Sequence, residues 1–290
     1  MLEALSKRRR CAAGLFLFMS ACTPLKLFNT IVPKDSAVVL ARDAAFGDDP
    51  RQRLDVYGPT GRPRETLPII MFIYGGSWNS GSKSDYSFVG KGLASRGYVV
   101  AIPDYRLVPK VRYPSFLEDN ANAMRWLIAH APALGGDPQR IVLVGHSAGA
   151  YNAAMLALDP RWLGQDRERV RGFVGLAGPY DFLPLDSALL KRTFGSISDP
   201  ASTQPVNLVS KPEPPAFLAT GDQDTVVRPR NSDALANKLR AHGADVERRT
   251  YKAIGHVGIL AAFAKPFRHR ASVLDDTINF VARVTVGREQ

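Results

Sequence analysis

Cysteine is nearly absent from this 290-residue sequence, which contains only two, Cys11 and Cys22. Both lie near the amino terminus, so the remaining residues can form no disulfide and offer no thiol nucleophile. The fold must therefore be held together by its core. With 45% hydrophobic residues, a chain of this length can bury one large core, and a single α/β domain is a common arrangement for it.

A hydrophobic run long enough to span a membrane is also missing at the amino terminus. The apolar stretch CAAGLFLFM at positions 11–19 has nine residues, too few to cross a bilayer as a mature helix. It follows the charged segment MLEALSKRRR and ends in MSAC at positions 19–22. This order is typical of an export signal. We therefore expect a signal peptide at residues 1–21.

The small residues before Cys22 resemble the lipobox of bacterial lipoproteins. The resemblance implies cleavage before Cys22 and lipid attachment to it, which would make residues 22–35 a lipidated tether and residues 36–290 the folded domain. The protein is then expected to be exported to the bacterial cell envelope and anchored to a membrane, with its domain facing the periplasm. A cleaved signal without lipid and an uncleaved anchor are the alternatives.

The sequence has no cluster of basic residues with interleaved aromatics, although its formal net charge is +11. A nucleic-acid-binding protein normally presents such a cluster, so we expect no nucleic-acid partner. Part of the charge lies at positions 7–10, inside the expected signal peptide, and the rest is mixed with acidic residues. Such a surface favours at most a weak attraction to anionic membranes.

Internal repeats and low-complexity linkers are absent as well, and predicted strands alternate with predicted helices instead. This alternation predicts an α/β fold in one domain, with a mostly parallel central sheet and helices on both faces. Residues 178–215 are rich in Pro and Leu without periodicity, which predicts a cap-like excursion over the sheet. The strands are predicted at 37–41, 53–57, 67–74, 98–102, 141–144, 172–177, 216–220 and 246–251, and the helices at 86–96, 115–131, 148–158, 232–241 and 274–284.

The segment GHSAG at positions 145–149 lies between the predicted strand 141–144 and the following helix. G-x-S-x-G in this context predicts a nucleophile elbow, a sharp turn that projects the Ser147 hydroxyl into a site. Gly145 and Gly149 suit it because strand and helix approach too closely there for side chains. The alternative is a tight turn with an idle serine. His146, inside the elbow, is expected to be a packing residue.

A serine hydroxyl needs a base, because it is a weak nucleophile while protonated. Of the five histidines, His256 lies just after the predicted strand 246–251, where an imidazole would reach the top of the sheet. A helix-capping role is its alternative. The histidine needs a carboxylate to hold its tautomer, and both Asp222 and Asp224 follow the predicted strand 216–220. We favour Asp224, with Asp222 as the fallback.

The order Ser147, Asp224, His256 along the chain is that of the α/β-hydrolase fold. Further motifs are LDVY at 54–57, YGGSW at 74–78, DYRL at 104–107, Pro114 with Asp119, GGDP at 135–138 and GDQD at 221–224. On these residues the sequence resembles the α/β-hydrolase superfamily over about residues 36–285. Within it, the chain resembles the carboxylesterase branch, which includes hormone-sensitive-lipase-like and ferulic-acid-esterase-like enzymes.

The resemblance implies an oxyanion hole built from backbone N–H groups. Ala148, just after the candidate nucleophile, would supply one donor, and Gly75, Gly76 or Ser77 of the glycine loop would supply others. Relatives usually carry histidine before the two glycines, where this chain has Tyr74. That difference removes no main-chain donor, so it implies a working site with a different packing around the loop.

These features predict a serine hydrolase that cleaves carboxylic esters with small to medium acyl chains through an acyl-enzyme. The alternative is hydrolysis of an amide or peptide bond on the same triad, as in arylformamidases and prolyl-oligopeptidase relatives. A lipoprotein that keeps the fold and only binds a ligand is a second alternative. A serine at the elbow excludes dehalogenases and most epoxide hydrolases, which need an aspartate there. We expect a small-molecule ester as the partner, and neither a metal nor a cofactor.

Overall fold

The computed structural model describes residues 24–286 except 62, 64, 211 and 212. The predicted signal peptide and Cys22 lie outside the described residues. Within that part of the chain, no helix is both long and apolar enough to cross a membrane. The strands are β1 (Val38–Ala45), β2 (Arg53–Gly58), β3 (Leu67–Ile73), β4 (Val99–Pro103), β5 (Gly136–His146), β6 (Val170–Leu176), β7 (Ala216–Gly221) and β8 (Val246–Tyr251).

The eight strands form one sheet in the order β1-β2-β4-β3-β5-β6-β7-β8. Strand β2 pairs antiparallel with both β1 and β4, and all the other neighbouring pairs are parallel. The mostly parallel sheet predicted from the sequence is thus confirmed. Because β5, β7 and β8 run in the same direction, their carboxyl ends meet at one edge of the sheet, where side chains from distant parts of the chain come together.

Helices pack on the sheet and bury its central strands. Strands β3 and β5 carry continuous apolar runs whose residues at 69–73 and 141–144 are fully buried, as expected of strands covered on both faces. The helices are α1 (Pro24–Ile31), α2 (Ser87–Ala94), α3 (Ser115–His130), α4 (Ala148–Leu158), α5 (Pro160–Leu163), α6 (Ala188–Phe194), α7 (Arg230–Ala241), α8 (His256–Ala261) and α9 (Val273–Thr285). Helix α2 contacts α9, and α3 contacts α4.

A buried ionic group joins α3 to the loop after β4. The Asp119 carboxylate has no exposed surface and accepts hydrogen bonds from the Arg106 guanidinium, from the Arg106 backbone N–H and from Gln52. An ionised carboxylate that is buried without such partners would strongly destabilise the fold. The group therefore has a structural role, and it helps to position the loops above the sheet.

The segment predicted as a tether begins instead with a helix packed on the domain. In α1, Phe28 contacts Phe88 and Phe267, with ring centroids 5.3 and 5.6 Å apart. The Asn29 side chain is buried and accepts hydrogen bonds from the Ser87 hydroxyl and the Phe88 N–H. These contacts satisfy the amino end of α2. They bind α1 to the domain, so the packed part of the chain starts well before residue 36.

The excursion between β6 and β7 contains α6 and two short 3₁₀ turns, Pro200–Thr203 and Pro205–Asn207. Phe194 of α6 is buried and packs against Trp78 at 5.0 Å between ring centroids. The Tyr151 hydroxyl of α4 donates a hydrogen bond to the Thr203 carbonyl. The excursion is therefore attached to the domain through its aromatic residues, and it forms part of the wall above the sheet edge.

Candidate active site

Ser147 lies on the turn between β5 and α4. Its backbone has φ 53° and ψ −125°, in a region that side-chain-bearing residues rarely adopt. A Cβ on Gly145 would lie 2.2 Å from the Gly149 carbonyl oxygen, and one on Gly149 would lie 2.0 Å from that of Ile73. Only glycine fits at either position. Strand, turn and helix therefore form the elbow geometry that the GHSAG segment predicts.

Three predicted site residues lie in direct contact. His256 Nε2 is 2.9 Å from Ser147 Oγ, and His256 Nδ1 is 2.8 Å from Asp224 Oδ2. Since the carboxylate accepts from Nδ1–H, Nε2 is left to accept the Ser147 hydroxyl proton. The side chains come from the ends of β5, β7 and β8, which explains how residues far apart in the sequence meet.

Asp224, not Asp222, contacts the histidine. Burial raises the pKa of Asp224, but hydrogen bonds from His256 and from the Val227 and Val226 N–H groups lower it further than burial raises it. The net pKa is below the ordinary aspartate value, so the group stays a carboxylate. Asp222 is exposed, and its backbone N–H donates to the Tyr251 carbonyl in the turn.

His146 lies beside the histidine of the site, a contact that its position within the elbow did not reveal. Its Nε2–H donates to the His256 carbonyl oxygen at 3.0 Å, and the two rings are 5.0 Å apart. The Nδ1 atom is buried and has no hydrogen-bond partner. Burial and the nearby His256 lower the pKa of His146 to about 3. His146 is therefore neutral at pH 7, and its bond to the His256 carbonyl supports the backbone at the start of α8.

This low pKa predicts a loss of stability in mild acid. Between pH 7 and pH 5 the unfolded chain protonates His146, whose ordinary pKa is about 6.5, while the folded chain does not. The free energy of unfolding should fall by about 2 kcal/mol over this interval because of this residue. Urea denaturation at both pH values measures the change, and His146→Gln, which keeps an N–H donor but does not titrate, should remove it.

The exposed His269 provides the matched control for that measurement. His269→Gln should retain the wild-type difference between pH 7 and pH 5. If His146→Gln also retained it, the buried imidazole would not be the source of the acid sensitivity.

The glycine loop lies opposite Ser147 in an uncommon backbone conformation. Gly76, Ser77 and Trp78 have φ values of 113°, 51° and 61°. The Gly76 carbonyl accepts from the Asn79 and Ser80 N–H groups, both at 3.0 Å. These bonds hold the turn in this conformation.

The predicted oxyanion-hole residues have different surroundings. Gly76 and Ser77 line cavities beside Ser147. Ala148 also lines one of them, and it is the first residue of α4, where an N–H has no partner within the helix. Gly75 lines neither of these cavities. A Cβ there would lie 2.8 Å from the His146 carbonyl oxygen, so Gly75 is needed for close packing against the elbow.

Tyr74, which directly precedes the glycine loop, is part of the buried core. Its ring is fully buried and stacks on Tyr86 and Tyr105, with centroids 5.1 and 4.8 Å away. Its hydroxyl donates to Asp104 at 2.7 Å and accepts from Arg51 at 2.8 Å. The side chain lines neither cavity at Ser147. Tyr74 thus contributes to the packing of the loop, as its place in the sequence indicated.

Two cavities meet at Ser147 and share Ser77 and Val226. The first, called the Ala148 cavity, has a volume of about 520 Å³ and extends under the excursion. Its walls include Trp78, Phe182, Leu190, Asp186, Arg228 and Arg230.

The second, called the His256 cavity, has a volume of about 490 Å³. Its walls include Leu25, Phe28, Tyr86, Phe88, Val257 and Leu260, together with His256 itself. Both volumes lie within the range of roughly 300–1,000 Å³ typical of small-molecule sites. Among the described residues, no three His, Cys, Asp or Glu side chains come together in a way that could hold a metal ion.

This chain is similar in sequence to proteins that are named as esterases. A probable isoprenylcysteine α-carbonyl methylesterase of Oryza sativa subsp. japonica is 30% identical over 250 residues, covering 76% of this chain and 57% of the relative. Esterase LipC of Mycobacterium tuberculosis is 29% identical over 222 residues, covering 69% of this chain and 55% of the relative. The chain thus spans somewhat more than half the length of the curated relatives that it matches.

Solved structures share the fold at low sequence identity. A truncated carbohydrate esterase from gut microbiota has a TM-score of 0.74 at 20% identity, covering 87% of this chain and 97% of that one. A thermostable carboxylesterase cloned from a metagenomic library also has a TM-score of 0.74 at 20% identity, covering 90% and 93%. The BD-FAE family model matches residues 54–239, which is more than half of the chain. The predicted resemblance to the α/β-hydrolase superfamily is confirmed, and the protein belongs to the BD-FAE family.

Proposed function

We propose that the protein is a serine esterase that hydrolyses carboxylic esters with small to medium acyl chains. The observation that carries the proposal is the contact of Ser147 Oγ with His256 Nε2, and of His256 Nδ1 with Asp224, at the meeting point of two cavities. Nucleophile, base and orienting carboxylate are thus arranged for acyl transfer.

In the first half of the reaction, His256 Nε2 takes the Ser147 proton as Oγ attacks the ester carbonyl carbon. The negative charge that develops on the carbonyl oxygen is stabilised by the N–H groups of Ala148, Gly76 and Ser77, and each such donor contributes about 3–4 kcal/mol. The C–O bond to the alcohol then breaks. The leaving oxygen takes the proton back from His256 Nε2, which leaves an acyl group on Ser147.

In the second half, water replaces the alcohol. His256 Nε2 takes one proton from the water as its oxygen attacks the acyl carbon, and the same N–H groups stabilise the second tetrahedral oxyanion. The bond to Ser147 Oγ breaks and Oγ recovers the proton. The products are a carboxylic acid and the free enzyme. Throughout both halves, Asp224 remains ionised and holds His256 in one orientation.

Similarity to the rice methylesterase and to the mycobacterial esterase supports an ester rather than an amide substrate. The test is hydrolysis of p-nitrophenyl butyrate by the purified protein, compared with the matched butyryl-p-nitroanilide. We expect ester hydrolysis and labelling by a fluorophosphonate. Faster cleavage of the anilide would favour the amidase alternative. An absence of hydrolysis and labelling would leave the ligand-binding alternative.

We further propose that the protein is exported and is attached to a membrane of the cell envelope by lipid on Cys22, with the domain facing the periplasm. The proposal is supported by the charged segment, the short apolar run and the small residues before Cys22. Helix α1 begins at Pro24 and packs on the domain, so a lipid on Cys22 would hold the domain close to the bilayer surface.

Replacing Cys22 by alanine should move the protein from the membrane to the soluble fraction and abolish incorporation of labelled palmitate, because the substitution removes the thiol that the proposed anchor acylates. Ester hydrolysis by the released protein should be unchanged. Cys11→Ala is the matched control and should stay in the membrane fraction. If Cys22→Ala also sedimented with membranes, the lipid anchor would be wrong.

A further inference from the structure

The two cavities at Ser147 differ in which part of the proposed reaction they face. His256 lines the His256 cavity, and Ala148 lines the Ala148 cavity. In the proposed esterase reaction, His256 Nε2 donates its proton to the departing alcohol oxygen, so the alcohol must lie on the same side of Ser147 as the imidazole. The His256 cavity is therefore placed to hold the alcohol part of the ester, and the Ala148 cavity to hold the acyl part.

The walls of the His256 cavity are mostly apolar apart from His146, His256, Ser77 and Ser147. The large apolar and aromatic residues in them include Leu25, Phe28, Tyr86, Phe88, Val257 and Leu260. No Asp, Glu, Lys or Arg among the described residues lines this cavity, whereas Asp186, Arg228 and Arg230 line the other one. Binding in a pocket of this composition is favoured when a large apolar ligand group is removed from water. A small polar group would add little to the binding free energy.

Helix α1 forms one wall of this cavity through Leu25 and Phe28. The helix is held in place by several independent contacts. The Asn29 side chain donates to the Ser84 carbonyl at 2.8 Å and accepts from the Phe88 N–H at 3.1 Å. Asp35, just after the helix, pairs with Arg268. The wall is thus built into the fold before a substrate arrives, which limits the entropic cost of binding.

Helix α1 also lies outside the part of the chain that the family model covers, residues 54–239. Without its side chains the His256 cavity would be open to solvent along that wall. We propose that α1 is a specificity element of this chain, and that the preferred substrates are esters of bulky apolar or aromatic alcohols. This inference rests on the proposed esterase function and names the substrate class for it.

The test compares two isomeric esters that carry the same naphthyl ring on opposite sides of the ester bond. In 2-naphthylmethyl acetate the ring belongs to the alcohol, and in methyl 2-naphthylacetate it belongs to the acyl group. Leu25→Trp fills the His256 cavity from α1. It should lower kcat/KM for 2-naphthylmethyl acetate by at least about tenfold and leave methyl 2-naphthylacetate within about threefold of wild type, because one large side chain in an apolar pocket discriminates by that order.

Leu27→Trp is the matched control, since Leu27 is on the same helix and is 57% exposed. It should change neither ester. Leu25→Phe is a smaller replacement that guards against a folding defect in α1, and it should shift the ratio of the two kcat/KM values in the same direction. The thermal midpoint of each variant shows whether α1 stays packed.

The possible results distinguish a failure of this inference about α1 from a failure of the proposed esterase function. A loss confined to 2-naphthylmethyl acetate supports α1 as the alcohol-side wall. Equal losses for both esters in a folded variant, or a loss confined to methyl 2-naphthylacetate, would overturn it while leaving an esterase. If the wild-type protein hydrolysed neither these esters nor p-nitrophenyl butyrate, the proposed function itself would fail.

Discussion

Replacing Ser147 by alanine should lower kcat for p-nitrophenyl butyrate by about 10⁵–10⁶-fold, because the variant has no oxygen that can form the acyl-enzyme. Some acceleration over water should remain, since the Ala148, Gly76 and Ser77 N–H groups can still polarise a bound carbonyl. The backbone at this turn has φ 53°, which alanine tolerates about as well as serine does. The fold should therefore be unchanged.

Steady-state hydrolysis and fluorophosphonate labelling measure the effect, and urea denaturation checks the fold. Ser95→Ala is the control, since Ser95 directly follows α2 and its hydroxyl donates a hydrogen bond to the Gly92 carbonyl. It should keep wild-type kcat. A Ser147→Ala variant that retained more than about one hundredth of wild-type kcat would show that another group attacks the ester.

Replacing Asp224 by asparagine should lower kcat by about 10⁴-fold, through the tautomer of His256. The Val226 and Val227 N–H groups both donate to Asp224 Oδ1. An asparagine amide must therefore keep its oxygen at that position and turn its NH₂ group toward His256 Nδ1. That NH₂ needs an acceptor, so Nδ1 loses its proton and Nε2 gains one. A protonated Nε2 cannot accept the Ser147 proton.

Asp222→Asn is the matched control, because Asp222 is two residues away, is exposed and also follows β7. Its kcat should stay within about threefold of wild type, as for most surface substitutions. The same pair of variants compares the two aspartates that the sequence leaves as candidates. If Asp222→Asn lost more activity than Asp224→Asn, the carboxylate of the triad would be misassigned.

Much of the fold could be predicted because the local signals agree with the tertiary arrangement. The apolar runs of β3 and β5 are what a sheet buried on both faces requires, and the structure buries them completely. Helix α4 starts and ends where the small-residue segment after GHSAG predicts it. The short helix α1 was missed, since an eight-residue amphipathic segment has little stability of its own. It forms in the folded protein because the Phe28 ring packs against Phe88 of α2 and against Phe267.

Some features of the candidate site could likewise be predicted from the sequence, and others could not. A serine between two glycines, at a junction of strand and helix, has few possible backbone conformations, so Ser147 was predictable from its neighbours alone. The contact of His146 with His256 was not, because it depends on how β5 and the start of α8 approach each other. The position of Tyr74 behind the loop likewise depends on Asp104, Arg51 and Tyr105, none of which is adjacent to it in the chain.

The fold class, the elbow at Ser147 and the order of the candidate triad follow from local patterns in the chain, because each is encoded by residues that are close together or by the alternation of strands and helices. Which aspartate reaches His256, and which side chains line the two cavities at Ser147, depends on how distant elements pack together. The apolar wall from α1 and the polar wall near Arg228 both depend on long-range packing. Such packing is set by the shape of the whole core, which no local pattern contains.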